Sequence, residues 1–332
     1  MPELRQNLAT KEWVIIATER AKRPNAYAEQ PSHPLTLNRP TFDAGCPFCP
    51  GNEELDLEIE RLPHEGAWQT RVVRNKYPAL TADNLLTRTF DGVERRVSAV
   101  GYHEVLIEHP HHNTCLALMT TDEVRMVMET YQQRGQIMSA DLRIEQVIYF
   151  QNHGERAGAS LPHAHSQIMA LPMVPVEIRR RTEEAQRYFD DHGECVICAM
   201  IEDELARGDR IITVNNDFIV FSLYAALSPF HTWIVPRRHR ANFLHADAQE
   251  IASLGAILRD LLRRMYFGLN DPDYNFIVRS TPTKELENGY FHWYVTLVPR
   301  LSRTAGFELG SGMRINPSLP EACAEFLRSV LV

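Results

Sequence analysis

The sequence predicts an α+β protein built as two related lobes, each an antiparallel sheet with packed helices. Three observations lead there. Short apolar segments follow one another through short turns, as antiparallel strands do, and one long amphipathic helix interrupts each run. The same order of motifs occurs twice along the chain at nearly equal spacing. Finally, 332 residues with a hydrophobic share of 44% and a charged share of 23% suffice for about two domains with sizeable cores.

The elements follow in chain order. An apolar strand, Trp13 to Ala17, leads into the basic cluster Arg20-Ala21-Lys22-Arg23, which faces either solvent or a phosphate. The proline-rich stretch from Pro24 to Pro40 reads as an exposed, irregular connection. Cys46 and Cys49 form a CxxC pair, and Val73-Arg74-Asn75-Lys76-Tyr77 reads as a short strand with its turn. A second strand, Val105-Leu106-Ile107, runs toward His112. Eight residues later Thr120-x-x-Glu123 is a capping box, after which Val124, Val127, Met128 and Tyr131 recur at helical spacing. A strand from Gln146 to Phe150 follows, and His163 falls in a closing strand within HAHSQIMALP.

The second half repeats this order. A helix from Val174 to Gly193, rich in Glu and Arg, joins the lobes. Cys195 and Cys198 make the second CxxC pair, and Val214-Asn215-Asn216-Asp217-Phe218 matches the first half's strand and turn. Trp233-Ile234-Val235 precedes His239, and Asp247-x-x-Glu250 starts a helix with Ile251, Leu254, Leu258, Leu261 and Leu262 on one face. A strand from Asn275 to Val278 comes next, and His292 lies in a strand within HWYVTLVPR. His112 and His163 are 51 residues apart; His239 and His292 are 53 apart. An internal duplication accounts for this, with an N-terminal lobe over 1–175 and a C-terminal lobe over 176–332. The tail after Ala305, with GFELGSG and NPSLPE, is expected to begin as loop before a last short helix.

Charge and composition exclude several functions. A net charge of −8 argues against nucleic acid or an acidic membrane as partner, although a local basic pocket for a small phosphorylated ligand stays open. No apolar run approaches the roughly 20 residues of a membrane span. The opening MPELRQNLATKEW lacks the apolar core of a secretory signal, so a cytoplasmic protein is expected. Six cysteines are too few for a disulfide scaffold of this size.

Cys46, Cys49, His112 and His163 make a tetrahedral Cys2His2 set of the kind Zn2+ takes, and Cys195, Cys198, His239 and His292 make its counterpart. The plain alternative is buried thiols, which the repeated CxxC…His…His order disfavours. Four protein ligands close each site, so both zincs are expected to be structural. His103, His109 and His111 crowd near His112 and compete for the ligand role; His153 and His231 have no evident partner and read as ordinary.

His165 lies two residues past His163, so in a strand the two share a face and one is left free of metal. The loop Gly154-Glu155-Arg156-Ala157-Gly158-Ala159-Ser160 could bring backbone N–H groups close to a phosphate. Gln167, on the same face, can donate to a phosphoryl oxygen. A neutral imidazole backed by such donors is equipped to attack phosphorus. In the second lobe Tyr294 stands where this histidine would fall.

WVIIATERAKRP, CPFCPGNE, VVRNKYPAL, NHGERAGASLPHAHSQ and NPSLPE together make the chain resemble the galactose-1-phosphate uridylyltransferases, a branch of the histidine-triad superfamily. The resemblance spans nearly the whole chain. It implies two related lobes with antiparallel half-barrel sheets and packed helices. It further implies that His165 is the nucleophile on a nucleoside diphosphate sugar, forming a nucleotidyl-histidine in a ping-pong cycle. Gln167 and Ser160 would then hold phosphoryl oxygens, Gly158 would lend its backbone, and Asn75, Phe150 and Asn152 would line the nucleotide pocket. The Cys2His2 set of the first lobe matches the family's zinc ligands. That of the C-terminal lobe resembles the family's zinc version rather than its Glu/His3 iron version. The family's tendency to dimerise implies a homodimer. Lys76 stands where many members carry an acidic residue. GASxxHxHSQxMALP and GFExGxGxxINPxxPE are also similar to ADP-glucose phosphorylase, which passes AMP to inorganic phosphate. The leading expectation is UDP-glucose as donor with galactose 1-phosphate as acceptor. An ADP-sugar phosphorylase is the nearest alternative, and a zinc-ribbon binding module without catalysis a remote one.

Overall fold

The computed structural model describes residues 1–18, 33–302 and 305–332. The basic cluster 20–23 and the first part of the proline-rich connection therefore lie outside the described residues.

The first half supplies β3 (Glu58–Leu62), β4 (Thr70–Arg74), a small hairpin of β5 (Arg88–Asp91) and β6 (Glu94–Val97), β7 (Tyr102–Ile107), α1 (Thr121–Ser139), β8 (Gln146–His153) and β9 (His165–Leu171). Two helices follow, α2 (Val176–His192) and α3 (Val196–Arg207). The second half supplies β10 (Ile211–Val214), β11 (Phe218–Ser222), β12 (Thr232–Pro236), α4 (Ala248–Leu269), β13 (Tyr274–Arg279) and β14 (Tyr294–Pro299). Ten of these strands form one wholly antiparallel sheet in the order β10-β11-β12-β14-β13-β8-β9-β7-β4-β3.

That order is the duplication written in space. Val105 pairs with Gln167 in the first half and Trp233 with Thr296 in the second, so residue equivalences can be read from the register. Phe150 and Ile277, opposite Gln167 and Thr296, are equivalents, and they pair with each other across the β8–β13 seam. A local two-fold axis passes there.

The helices form where the side chains demand it. Thr120 and Asp247 each accept the N–H of the residue three on, while Glu123 and Glu250 reach back to the cap N–H. Each box supplies partners for donors that the first turn cannot bond itself. α1 and α4 bury Val124, Val127, Met128 and Tyr131 and Ile251, Leu254, Leu258, Leu261 and Leu262 in one core against the sheet. The two helices cross so closely that a Cβ on Gly255 would lie 2.9 Å from Arg125 Cα, which only glycine avoids without a shift. α2 fills the expected junction and ends where Gly193 turns left-handed at φ +75°.

Four expectations need correction. Asn75 to Tyr77 follow β4, whereas Asn215 to Asp217 form the turn between β10 and β11, so these segments are not equivalents. Their likeness comes from local chemistry: Asn75 Oδ1 accepts the Tyr77 N–H at 2.9 Å, and Asn215 Oδ1 accepts those of Asp217 and Phe218 at 3.0 and 2.7 Å. The tail does not begin as loop. It forms α5 (Gly306–Ser311), β15 (Arg314–Asn316) and α6 (Pro320–Ser329), because Glu308 accepts the Ala305 N–H and β15 finds a parallel partner. That partner is β2 (Trp13–Ile16), itself antiparallel to β1 (Glu3–Gln6), so the first hairpin of the chain sits on its last segment. Arg5 ties the two by pairing with Glu321 at 2.8 Å. The other two corrections concern histidines. His163 and His292 lie two residues ahead of β9 and β14 rather than inside them. His153 and His231 do have partners: Asp271 Oδ1 at 2.8 Å and Thr296 Oγ1 at 2.9 Å.

Beneath the first half lies one costly group. Glu108 is fully buried, with Oε2 accepting from Gln151 Nε2 at 2.6 Å and Oε1 without a partner among the described residues. Burial pushes its carboxyl up to about 8, against smaller opposing effects of Ser166 and Gln151. Because the folded value exceeds the unfolded one, the protonated form stabilises the fold, fully below about pH 4.5. That stabilisation is lost as pH rises through about 8. The loss is on the order of 5 kcal/mol. Glu108→Gln should therefore flatten the pH dependence of urea midpoints between pH 6 and 9, with the variant more stable than wild type at pH 9. Parallel curves for the two proteins would contradict this.

Candidate active site

Four side chains from three separate segments converge beside the start of β9. Cys46 Sγ lies 3.6 Å from His163 Nδ1, and Cys49 Sγ lies 3.5 and 3.6 Å from His112 Nδ1 and His163 Nδ1. A tetrahedral Zn2+ at ordinary Zn–S and Zn–N lengths spaces its sulfur and nitrogen ligands by about 3.5 Å, so the donor set fits. The other ring nitrogen of His163 donates to the His109 carbonyl at 2.7 Å, the kind of outer contact that aims a ligand ring. His109 itself is turned to Glu123 Oε1 at 3.3 Å, and of the crowded histidines it is His112 that stands in the converging group. The second set repeats the pattern: Cys198 Sγ lies 3.4 and 3.5 Å from His239 Nδ1 and His292 Nδ1, with Cys195 in the same cluster. His239 Nε2 donates to the Asn288 carbonyl at 2.9 Å. Both groups can hold a metal ion.

His165 is the buried first residue of β9. Its Nδ1 lies 2.8 Å from the His163 carbonyl oxygen. A carbonyl only accepts, so the proton sits on Nδ1 and the lone pair on Nε2. Burial lowers the pKa of the ring and so favours the neutral form, outweighing the opposing effect of that hydrogen bond. The ring of Phe48, from the CxxC turn, leans on it with centroids 5.4 Å apart.

Two cavities meet at this ring. One, about 320 Å3, has apolar walls from Phe48, Leu57, Val73 and Val105 and carries Asn75 and Gln167. The other, about 460 Å3, is more polar and carries Asn152, His153, Arg39 and His33. His165, Ser160 and Leu161 line both. Asn152 reaches across the seam, its Oδ1 accepting from Asn275 Nδ2 at 2.8 Å. Phe150 and Gly158 line neither cavity; Phe150 pairs directly with Gln167 on the neighbouring strand.

The small-residue loop is more closed than expected. The N–H groups of Ala157 and Ala159 donate to the Gly154 carbonyl, that of Gly158 to Glu155 and that of Arg156 to Asp273. These amides are already bonded, so Gly158's contribution is its left-handed turn at φ +93° and not a free donor. Gly154 is fixed by space as well, since a Cβ there would lie 2.3 Å from Asp273 Oδ1.

His33, His153 and Asp271 also converge. His33 Nε2 lies 3.1 Å from Asp273 Oδ1 and its Nδ1 2.8 Å from the Pro34 carbonyl. The bond to Asp273 raises the ring's pKa, against the opposing effect of burial. The Arg39 guanidinium, with Nη2 3.5 Å from His33 Nδ1, sets a positive charge beside this group, which disfavours a metal cation there. Sequence reasoning missed this pairing because its acidic partners sit at the end of α4, more than two hundred residues from His33. In the second half, Tyr294 stacks on Trp233 at 4.0 Å and accepts from Arg181 Nη1 at 3.2 Å, filling the place of His165.

Comparison with known proteins agrees with this geometry. Family models described as galactose-1-phosphate uridyl transferase, N-terminal domain and C-terminal domain, match residues 1–175 and 181–315. The ADP-glucose phosphorylase of Arabidopsis thaliana is 36% identical over 337 residues, covering 99% of this chain and 93% of that protein. A galactose-1-phosphate uridylyltransferase of Thermotoga maritima is 28% identical over 342 residues, covering 100% and 99%. Among solved structures, the Arabidopsis ADP-glucose phosphorylase with bound ADP-glucose superposes with a TM-score of 0.83 at 32% identity, covering 100% of this chain and 99% of that one. A uridylyltransferase at 23% identity, covering 99% and 98%, has the same fold with a TM-score of 0.76. Among the described residues no helix is long and apolar enough to cross a membrane.

Proposed function

The chain belongs to the galactose-1-phosphate uridylyltransferase family of nucleotidyltransferases, and from that premise we propose that it transfers a nucleotidyl group from a nucleoside diphosphate sugar through His165. The observation that carries this reading is the fixed tautomer of His165: Nδ1 is tied to the His163 carbonyl, and the Nε2 lone pair is left where two cavities meet. Nε2 attacks the α-phosphorus, the bond to the bridging oxygen breaks, and sugar 1-phosphate leaves with the electron pair. An oxygen of a second phosphate then attacks the nucleotidyl-histidine and returns the imidazole. Gln167 and Ser160 hold the phosphoryl oxygens as charge builds. The cavity with apolar walls suits the nucleoside, with Asn75 at its edge and Phe150 behind Gln167. The polar one, with Asn152, suits the sugar phosphate and the acceptor.

Cys46, Cys49, His112 and His163, and likewise Cys195, Cys198, His239 and His292, would each hold Zn2+. With four protein ligands neither ion keeps an open position, so zinc supplies structure and no chemistry. Residues 1–175 carry the reaction centre and line both cavities; 176–332 complete the sheet and brace the polar cavity from behind, through Asn275 on Asn152 and Asp273 on Arg156.

For the donor we favour ADP-glucose, with inorganic phosphate as acceptor. The 36% identity to the Arabidopsis phosphorylase and the TM-score of 0.83 support this over the uridylyl expectation. UDP-glucose with galactose 1-phosphate is the alternative reading, supported by the family models and the Thermotoga relative. Mixing the protein with ADP-glucose or UDP-glucose alone and weighing it intact separates them. An added AMP mass is expected with the first and turnover only when phosphate is supplied; an added UMP with turnover on galactose 1-phosphate would reverse the assignment.

A further inference from the structure

We propose that His103 is a positioning residue that fixes the orientation of the Gln167 amide and so aims its N–H2 group at the phosphoryl oxygens; the proposal rests on the His165 reading above. His103 is the second residue of β7, diagonal to Gln167 on the same face of the sheet. Its Nδ1 lies 3.2 Å from the backbone nitrogen of Ala79. A backbone N–H can only donate, so Nδ1 is the acceptor and the ring proton sits on Nε2. Nε2 lies 2.8 Å from Gln167 Oε1 and donates to it. With its oxygen held from behind, the amide must present nitrogen to the cavity that Gln167 lines. The reversed amide would turn lone pairs toward phosphoryl oxygens and repel them.

Asn75 completes the arrangement. Its backbone N–H donates to the His103 carbonyl at 2.9 Å, and its Oδ1 is held by the Tyr77 N–H. Its Nδ2 comes within 3.1 Å of His103 Nε2, but that nitrogen carries the proton spent on Gln167, so the Asn75 amide hydrogens are left for the cavity.

The second half contains the same relay. By strand register His231 corresponds to His103 and Thr296 to Gln167. The Leu227 N–H donates to His231 Nδ1 at 3.2 Å, and His231 Nε2 lies 2.9 Å from Thr296 Oγ1. There the relay ends on a short buried hydroxyl beside Tyr294 and only braces the sheet. In the first half it ends on a longer amide whose far end opens into the cavity.

The test uses the full-length zinc-loaded protein and single-turnover formation of the nucleotidyl-enzyme from ADP-glucose and from UDP-glucose. His103→Phe, which keeps a ring and removes the donor, should slow this step by about 10- to 100-fold with the half-saturating donor concentration little changed. His103→Gln, whose amide can donate, should recover most of the rate. In a Gln167→Ala background, His103→Phe should add nothing further. A wild-type rate in His103→Phe, or an undiminished effect in the Gln167→Ala background, overturns the proposal. So does a nitrogen NMR spectrum placing the His103 proton on Nδ1, which decides the matter even if His103→Phe fails to fold. Should wild type form no adduct with either donor, the His165 reading fails, whereas the tautomer still reports on the relay.

Discussion

His165→Gly should lower nucleotidyl transfer by at least about 10³-fold while the protein keeps its fold and its full zinc content. The two halves of that outcome come from different atoms. The Nε2 lone pair of His165 is the nucleophile, and without it the remaining donors on Gln167 and Ser160 have no attacking atom to assist. Metal content is untouched because the first site draws on His163, not its neighbour: Cys46 and Cys49 both lie 3.6 Å from His163 Nδ1. Steady-state assays with metal analysis of the same preparation check this. Normal activity with reduced zinc would mean that the two histidines have exchanged roles.

Stripping both metals should unfold the protein rather than leave a folded, inactive form. Structural Zn2+ contributes about 10–16 kcal/mol of apparent binding free energy in small zinc folds, comparable to the whole stability of an ordinary domain. In this chain the first site joins the CxxC turn to the segment after β7 and to the entry of β9. The second joins the start of α3 to the segments after β12 and before β14. Without the ions each cluster keeps two cysteines and two histidines packed together, and its segments are tied by a few hydrogen bonds such as His163 to the His109 carbonyl and His239 to the Asn288 carbonyl. Far-UV circular dichroism during chelation, followed alongside released zinc, reads the outcome. A native spectrum from metal-free protein would show that the sites ornament a fold that stands without them.

Much of this was legible in the sequence, for reasons that differ by element. The capping boxes at Thr120 and Asp247 are local chemistry, and local chemistry survives folding. The metal sets were legible because CxxC and the later histidines recur at matched distances, and a duplicated pattern is its own control. His165 followed from its distance to His163. The matched turns at Asn75 and Asn215 misled because the same Asx chemistry serves a strand end in one half and a hairpin in the other. His103 and His153 were passed over because their partners are set by strand register and helix ends, which no spacing encodes. One signal for His103 was available: it stands nine residues before His112, as His231 stands eight before His239. The merging of both halves into one sheet was not legible either, since nothing in β8 or β13 alone names its partner.

The seam between β8 and β13 carries a further meaning. Equivalent residues meet there face to face, so each half offers the other the very border that a copy of itself would offer. Severed from its sibling, either half would bare a row of unanswered amides and carbonyls, an invitation to mate with its own kind. The chain is in effect a symmetric pair sewn into a single thread, and the stitching lets one member, with Tyr294 where the other has His165, serve as a buttress behind its sibling's workplace.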